Sequence, residues 1–543
     1  MPYNSPMKEL QLPELSPEAA PEFTDAATAK AWLENVPLAN VAAAQQQLLA
    51  QMQEFNRFGA KAVSRLATLE ALREAVQFVE IEQARRFTNR ALPMAEAESA
   101  VFDDTLALWD QMRLGYQRCL EAVIAGEEPG LRAQAGLVCQ RVLAFTGLRM
   151  FHYHRAYRQV PPHEWRELHE GYARAEALGV AEEAVKDYLN RDVNDTSPRI
   201  AYMRALLLGM ANPNELSQRQ LTFVAYLLER WADKVEISKK PLADEEIAPL
   251  IVDLDGDICP DRDGPEAVEP RYLDVKRIAK SLRNRIGLLR KGESPAKLAL
   301  GEDCVQPSCE QLLVFLYRQW CQVKQPRGAE RKRVSDIVQT SQDMAAIHYY
   351  ISGRVFRQPG EAKELTSAQR DQIVAFGRVS TRDEDDYSVV HDFLLEQWQL
   401  KDETTQGLKM VRSAANPGKR YSHGRLVGVK PADAKNFMLG QVRWLVQNDA
   451  GDLYAGIRLL PGLPAATAVR PTGLNVMGAK YVQAISLTAV AVLNSPPSLV
   501  LPSGWYKPKR VVEVYVEGHV RVRLTEMLDR GSDYERCAYE IVP

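Results

Sequence analysis

The stretch WQLKDETTQGLKM, Trp398 to Met410, decides how the second half of this chain is read. Trp398 and Leu400 alternate with polar neighbours, Thr404-Thr-Gln-Gly407 has turn composition, and Leu408 and Met410 resume the alternation. Period-two patterning on both sides of a turn predicts a strand, a tight turn and a second strand. Inside it Asp402, Thr404 and Gly407 supply a carboxylate able to cap a turn, a hydroxyl, and a residue whose missing Cβ permits a sharp bend.

Working outward, strand-like runs extend over Val334–Gln339, Ile347–Ile351, Val389–Leu400, Leu408–Val411, Leu426–Val429, Gly440–Val446 and Tyr454–Leu460. Gly, Pro, Asn and Asp separate several of them, which predicts a small antiparallel barrel over 324–465. The polar stretch 355–387 reads as an insertion in it. Downstream, Arg510-Val-Val-Glu-Val-Tyr-Val-Glu517, Gly518 and His519-Val-Arg-Val-Arg-Leu524 form an alternating hairpin within a smaller β unit, 466–543.

Upstream the texture is helical. Residues 1–25 are polar and proline-rich and read as a flexible leader, and 26–240 as a helical bundle or short solenoid rich in Ala, Leu, Gln and Glu at helical spacing. Trp165, Leu168, Tyr172 and Ala181 stand at the offsets of a tetratricopeptide helix pair, but no second copy follows, so they read as anchors of one helical hairpin. Residues 241–320 form a connecting region with a short strand at Ile251–Leu254 and an amphipathic helix over Arg271–Lys291, whose basic face carries Lys276, Arg277, Lys280, Arg283 and Arg290. The fold class expected is therefore multidomain α+β: an all-α front, an antiparallel barrel and a small β tail.

At 543 residues the chain needs several cores, and 46% hydrophobic with 26% charged residues is the composition of ordinary globular domains. A formal net charge of -3 excludes a globally basic nucleic-acid binder. The only nucleic-acid reading left is local, through the 271–291 helix and the Arg521/Arg523 hairpin. Seven scattered cysteines argue against a disulfide framework. The N-terminus lacks a signal-peptide core, and Tyr481–Leu493 is too short to span a bilayer, so a cytoplasmic protein is expected. Asp253-Leu-Asp255-Gly-Asp257 has Ile258 and Gly264 where a calcium loop needs Gly and Glu, and is read as a turn. Cys304, Cys309 and Cys321 lack zinc spacing. No phosphate-binding, metalloprotease or nucleophile-elbow motif appears, so no enzyme, catalytic residue, metal or cofactor is expected.

An arginine-rich segment, Arg327-Gly-Ala-Glu-Arg331-Lys-Arg333, precedes the first predicted barrel strand. Guanidinium groups are planar, permanently charged and bidentate toward phosphate. Together with Asp402, Thr404 and Gly407 this segment resembles the two-part RxxxR … [D/N]xSxxG signature of PilZ domains, which bind cyclic di-GMP. Gly440-Gln-Val-Arg-Trp444 and Tyr454-Ala-Gly-Ile457 are similar to the closing strands of such barrels. Thr404 replaces the usual serine, the gap between the motifs is longer than usual, and either Arg327 with Arg331 or Arg333 could hold the arginine register. The resemblance implies a cyclic di-GMP effector: Arg327, Arg331 and Arg333 on the phosphates, Asp402 and Thr404 on a guanine edge, Gly407 at the bend, and the helical front contacting a protein partner. The alternative is a barrel that has lost the nucleotide and binds protein alone.

Overall fold

The computed structural model describes residues 9–191, 193–241, 250–260, 267–301, 304, 308–322, 332–333, 336–359, 393–472, 478–516 and 518–542. The chain divides into one unit of Met1–Arg90 with Met94–Arg327, and another of Ala91–Pro93 with Gly328–Pro543.

The first unit is helical: α1 (Ala26–Leu33), α2 (Val41–Arg57), α3 (Ala62–Ala84), α4 (Glu96–Ala125), α5 (Pro129–Arg132), α6 (Ala135–Arg155), α7 (Pro162–Ala177), α8 (Pro198–Met210), α9 (Gln218–Trp231), α10 (Lys276–Arg290) and α11 (Ser308–Cys321). Local signals set several ends. Asp25 caps α1 by accepting from the Ala27 and Thr28 amides, and Ser217 caps α9 with Gln220 reaching back. One apolar core runs from Phe23 on the N-terminal segment to Ala175 on α7, and a second from Leu143 on α6 to Cys321 on α11.

Several expectations change here. Residues 9–25 do not hang free: Phe23 is buried between Trp32 and Phe55, and the Ser16 amide donates to the Arg57 carbonyl at 2.9 Å. The region after 250 is no separate connector, because α10 and α11 lie in the core of α7–α9, with Trp320 Nε1 donating to the Leu207 carbonyl at 2.8 Å. Arg271 lies in a strand, Pro270–Asp274, and the helix begins at Lys276. With β1 (Val185–Lys186) and β2 (Asp195–Thr196) forming one ladder, β3 (Glu236–Ser238), β4 (Leu250–Asp253) and β5 (Pro270–Asp274) form a second sheet in the order β3-β5-β4. The Asp253 carboxylate accepts from the amides of Asp255, Val268 and Glu269, closing the turn that the acidic run predicted. On the basic helix Arg277 and Arg290 pair with Glu236 and Glu310, so its cations are partly neutralised. Tyr172 stacks on Tyr202 at 4.4 Å, one of the anchor contacts of the α7 hairpin. Cys304 and Cys309 are joined in a disulfide, one link and not a framework, and the other five cysteines are free.

The second unit holds two closed antiparallel barrels. The first comprises β6 (Lys332–Arg333), β7 (Ile337–Gln342), β8 (Glu396–Thr404), β9 (Gly407–Arg412), β10 (Leu426–Pro431), β11 (Met438–Gln447) and β12 (Leu453–Leu459). Its order is β6-β8-β7-β10-β11-β12-β9, and β9 pairs again with β8 to close a ring of six. β6 and β7 occupy the same edge of β8: Arg333 stands opposite Asp402 and Ile337 opposite Gln399. Both run antiparallel to β8. Residues 344–352, expected to contain a strand, instead form helix α12 (Met344–Ser352). The short apolar run Ile347–Ile351 does not by itself distinguish the two. Most of the expected insertion lies outside the described residues.

The expected tail is a complete second barrel. Strands β13 (Pro464–Pro471), β14 (Val482–Leu487), β15 (Ser498–Pro502), β16 (Val511–Tyr515), β17 (His519–Arg530) and β18 (Tyr534–Ile541) close in the order β13-β14-β15-β18-β17-β16. A shared cluster joins the barrels: Ile347 of α12, Leu426 and Leu439 of the first pack with Ile485, Leu487, Val500 and Tyr534 of the second.

Candidate ligand-binding site on the first barrel

Alternation along β8, β9 and β12 decides what the barrel shows outside. Trp398, Leu400, Leu408, Met410, Ala455 and Ile457 point inward and are buried. A register shift between Leu400 and Asp402 on β8 places the extra residue at Lys401, and a second between Val442 and Trp444 on β11 places one at Arg443. Such bulges re-aim the residue that follows them. The result is one row across five strands: Arg333 opposite Asp402, Asp402 opposite Lys409, Lys409 opposite Gly456, and Gly456 opposite Trp444. Opposed positions of antiparallel strands lie on one face with Cβ atoms about 5 Å apart. The row therefore brings a basic position, a carboxylate, an ammonium and an indole together. Gly456 is needed for this: a Cβ there would collide with the Trp444 indole, which lies over its backbone.

The predicted turn is present between Thr404 and Gly407, where β8 and β9 join. Its chemistry differs in two respects from what the sequence suggests. The Thr404 hydroxyl is engaged within the turn, accepting from the Gln406 amide and donating to the Gly407 carbonyl, both at 3.3 Å. Gly407 does not take a positive φ; it is required because a Cβ would come 2.9 Å from the Ile457 carbonyl on β12. Of the three arginines, Arg333 is fixed by backbone pairing to β8, whereas Arg327 and Arg331 lie outside the described residues.

Behind this face the barrel interior holds charge. Arg412 Nη1 donates to Glu396 Oε2 and to the Lys419 carbonyl (2.9 Å), and the Lys419 amide donates to Glu396 Oε1 (2.8 Å). Both side chains are almost fully buried, at 3% and 4% exposure. Tyr421 donates to Glu396 Oε2 at 3.3 Å and also contacts the Thr340 hydroxyl at 3.0 Å. Burial, then the neighbouring Glu396 charge, raises the Tyr421 phenol above its ordinary range. The Arg412 guanidinium lies 5.3 Å from the Trp398 ring centre, and Gly418 leaves room for it. The loop 416–424 is thus folded onto an internal ion pair at the root of the β8–β9 hairpin.

Sequence reasoning missed Lys409, Trp444 and Gly456 as members of the site. Each stands near a recognised motif, but only strand register shows that they share a row with Asp402. Among the described residues no group of His, Cys, Asp and Glu could hold a metal ion, and no helix is long and apolar enough to cross a membrane.

The class these observations define is a multidomain α+β protein in which a helical unit precedes two consecutive antiparallel barrels. Comparison with known proteins narrows this further. Residues 27–242 match the family model described as "Cyclic-di-GMP receptor FimW, N-terminal domain", and residues 467–542 match "FimW C-terminal beta-barrel domain". The chain is 23% identical to the Cyclic-di-GMP receptor FimW of Pseudomonas aeruginosa over 91% of its own length and 86% of that protein's. The first barrel, with the Asp402 row, lies between the two matched stretches.

Proposed function

We propose that this protein is a cyclic di-GMP effector whose first barrel is a PilZ-like nucleotide site. The row from position 333 through Asp402 and Lys409 to Trp444 is the observation that carries this reading. Cyclic di-GMP presents two phosphodiesters and two guanines, so its site needs forked cations, an acceptor for guanine N–H groups and a flat apolar surface. Arg327, Arg331 and Arg333 supply the first in this reading, and Lys409 stands in the same row as position 333. Asp402 supplies the second. Trp444 supplies the third, since base–aromatic stacking contributes about 1–3 kcal/mol per base. The relative's printed name, a cyclic di-GMP receptor, supports the ligand. The helical unit is then the surface for a protein partner, in the cytoplasm where this messenger is made.

Calorimetric titration of the full chain with cyclic di-GMP tests the reading. Binding in the low-micromolar range or tighter is expected, weakened about tenfold or more by Trp444→Ala and by Asp402→Ala, and abolished by combined Arg327→Ala, Arg331→Ala and Arg333→Ala. One observation favours the competing reading, a barrel that contacts protein only: the Thr404 hydroxyl is engaged in its own turn. No heat at ligand concentrations on the order of a hundred micromolar decides for that alternative.

A further inference from the structure

A cavity of about 490 Å³ opens in the helical unit, well away in sequence from the barrel motifs. It lies among α3, α6, α8 and α9, and small residues make it: Ala144 and Gly147 on α6, Ala205 on α8 and Ala225 on α9 face the space where larger side chains would close it. Trp109, Phe145, Phe151 and Tyr226 furnish aromatic walls. Its size and apolar lining are those of small-molecule sites, which run to roughly 300–1,000 Å³ with a few placed polar groups.

The polar groups fall into two sets. At one end Arg73 pairs with Asp187 at 2.5 Å and Arg204 with Glu229 at 3.2 Å, so these charges are satisfied by the protein. At the other end they are not. Trp109 and His152, 2% and 3% exposed and stacked at 6.1 Å, both line the cavity, and among the described residues neither Trp109 Nε1 nor His152 Nδ1 has a hydrogen-bond partner. Both nitrogen atoms are themselves shut off from the space, so what these two residues present to the cavity is ring surface. Arg155, also lining the cavity, lies 5.5 Å from the Phe151 ring centre and donates to the Thr88 hydroxyl at 3.3 Å. Among the described residues no carboxylate pairs with it, and its Nε is without a partner.

We propose that this cavity binds a small organic anion with an apolar body, its acid group against Arg155 and its body between the aromatic walls. An acyl chain and an aromatic ring system share this chemistry. The site is separate from the nucleotide row and stands whether or not that row binds cyclic di-GMP.

The test uses the full chain and the fluorescent probe 1-anilinonaphthalene-8-sulfonate, an aromatic body carrying a sulfonate. Saturable binding of one probe per chain is expected, with energy transfer from tryptophan. Ala225→Phe on α9 and Ala144→Leu on α6 fill the cavity from opposite sides, and either one that keeps the native circular dichroism should abolish the signal. Arg155→Gln should weaken the probe about tenfold, as expected for loss of a charge-assisted contact. Decanoate or 2-naphthoate should displace the probe and so identify the acyl or the aromatic class, whereas uncharged decanol should not. Probe emission that does not saturate, or that survives both fillings, overturns the site. Equal competition by decanol and decanoate overturns the anionic assignment. Displacement by cyclic di-GMP would make the cavity the nucleotide's own and overturn it as well.

Discussion

Replacing Glu396 by Gln removes one charge from the interior of the first barrel while keeping the side chain's shape. Arg412 stays behind, 3% exposed, without a counter-charge, and the amide offers one acceptor oxygen where the carboxylate gave one to Arg412 and one to the Lys419 amide. An uncompensated buried charge of this kind costs about 3–5 kcal/mol. At 1.36 kcal/mol per tenfold, the opening equilibrium of the β8–β9 hairpin should rise roughly 150- to 5,000-fold. Hydrogen exchange with mass spectrometry on the intact protein reads this directly, through peptides covering 396–412. The double variant Glu396→Leu/Arg412→Met removes both charges together and should recover most of the protection. A residue of about 1–2 kcal/mol remains, because the Lys419 amide and carbonyl lose their partners. Since this hairpin carries Asp402 and Lys409, the single variant should also weaken any ligand of the row more than the double does. Exchange within threefold of the parent in Glu396→Gln, or a double variant no better than the single, would refute the reasoning.

Three further outcomes are expected. Burial holds the folded pKa of His154 at about 4 against an ordinary 6.5, so the unfolded chain binds this proton first as pH falls. Stability is complete above pH ~6.5 and is lost between there and about 4, on the order of 3 kcal/mol from this group; urea midpoints of the parent should fall across that window, and less steeply in His154→Gln. Gly456→Ala drives a methyl into the Trp444 indole; a cost of about 1–3 kcal/mol by denaturant titration and a shifted tryptophan emission are expected. The denatured, unreduced chain should titrate five thiols of its seven cysteines, and all seven after reduction, given the single Cys304–Cys309 disulfide.

The strand–turn–strand around Asp402 was legible because its alternation and its turn are both local. So were the helical front, from composition and spacing, and the hairpin of the second barrel. Ile347–Ile351 was not, since its burial comes from packing against β13 and β14, far along the chain. In the N-terminal segment the same holds for Phe23, one of whose ring partners, Phe55, stands on α2 beyond any local window. At the site, residue types were legible and neighbours were not. Lys409 and Trp444 join Asp402 only through two bulges, and a one-residue shift at either would turn them to the other face. The Glu396–Arg412 pair left no trace in sequence, because nothing in the alternation distinguishes a buried carboxylate with a partner from an exposed one.

The cluster around Ile347 sets a limit on how this molecule can be divided. A fragment starting at 464 would keep every strand of the second barrel yet bare Ile485, Leu487, Val500 and Tyr534, which now pack against α12 and the first barrel. It would also free the Asp533 carboxylate from the Leu426 amide, 2.9 Å away, and the Ser532 amide from the Gly424 carbonyl, also 2.9 Å away. Such a fragment should be poorly soluble and prone to self-association through that face. One that begins before β7 and carries α12 should behave as a monomer, so the natural unit of expression is the barrel pair.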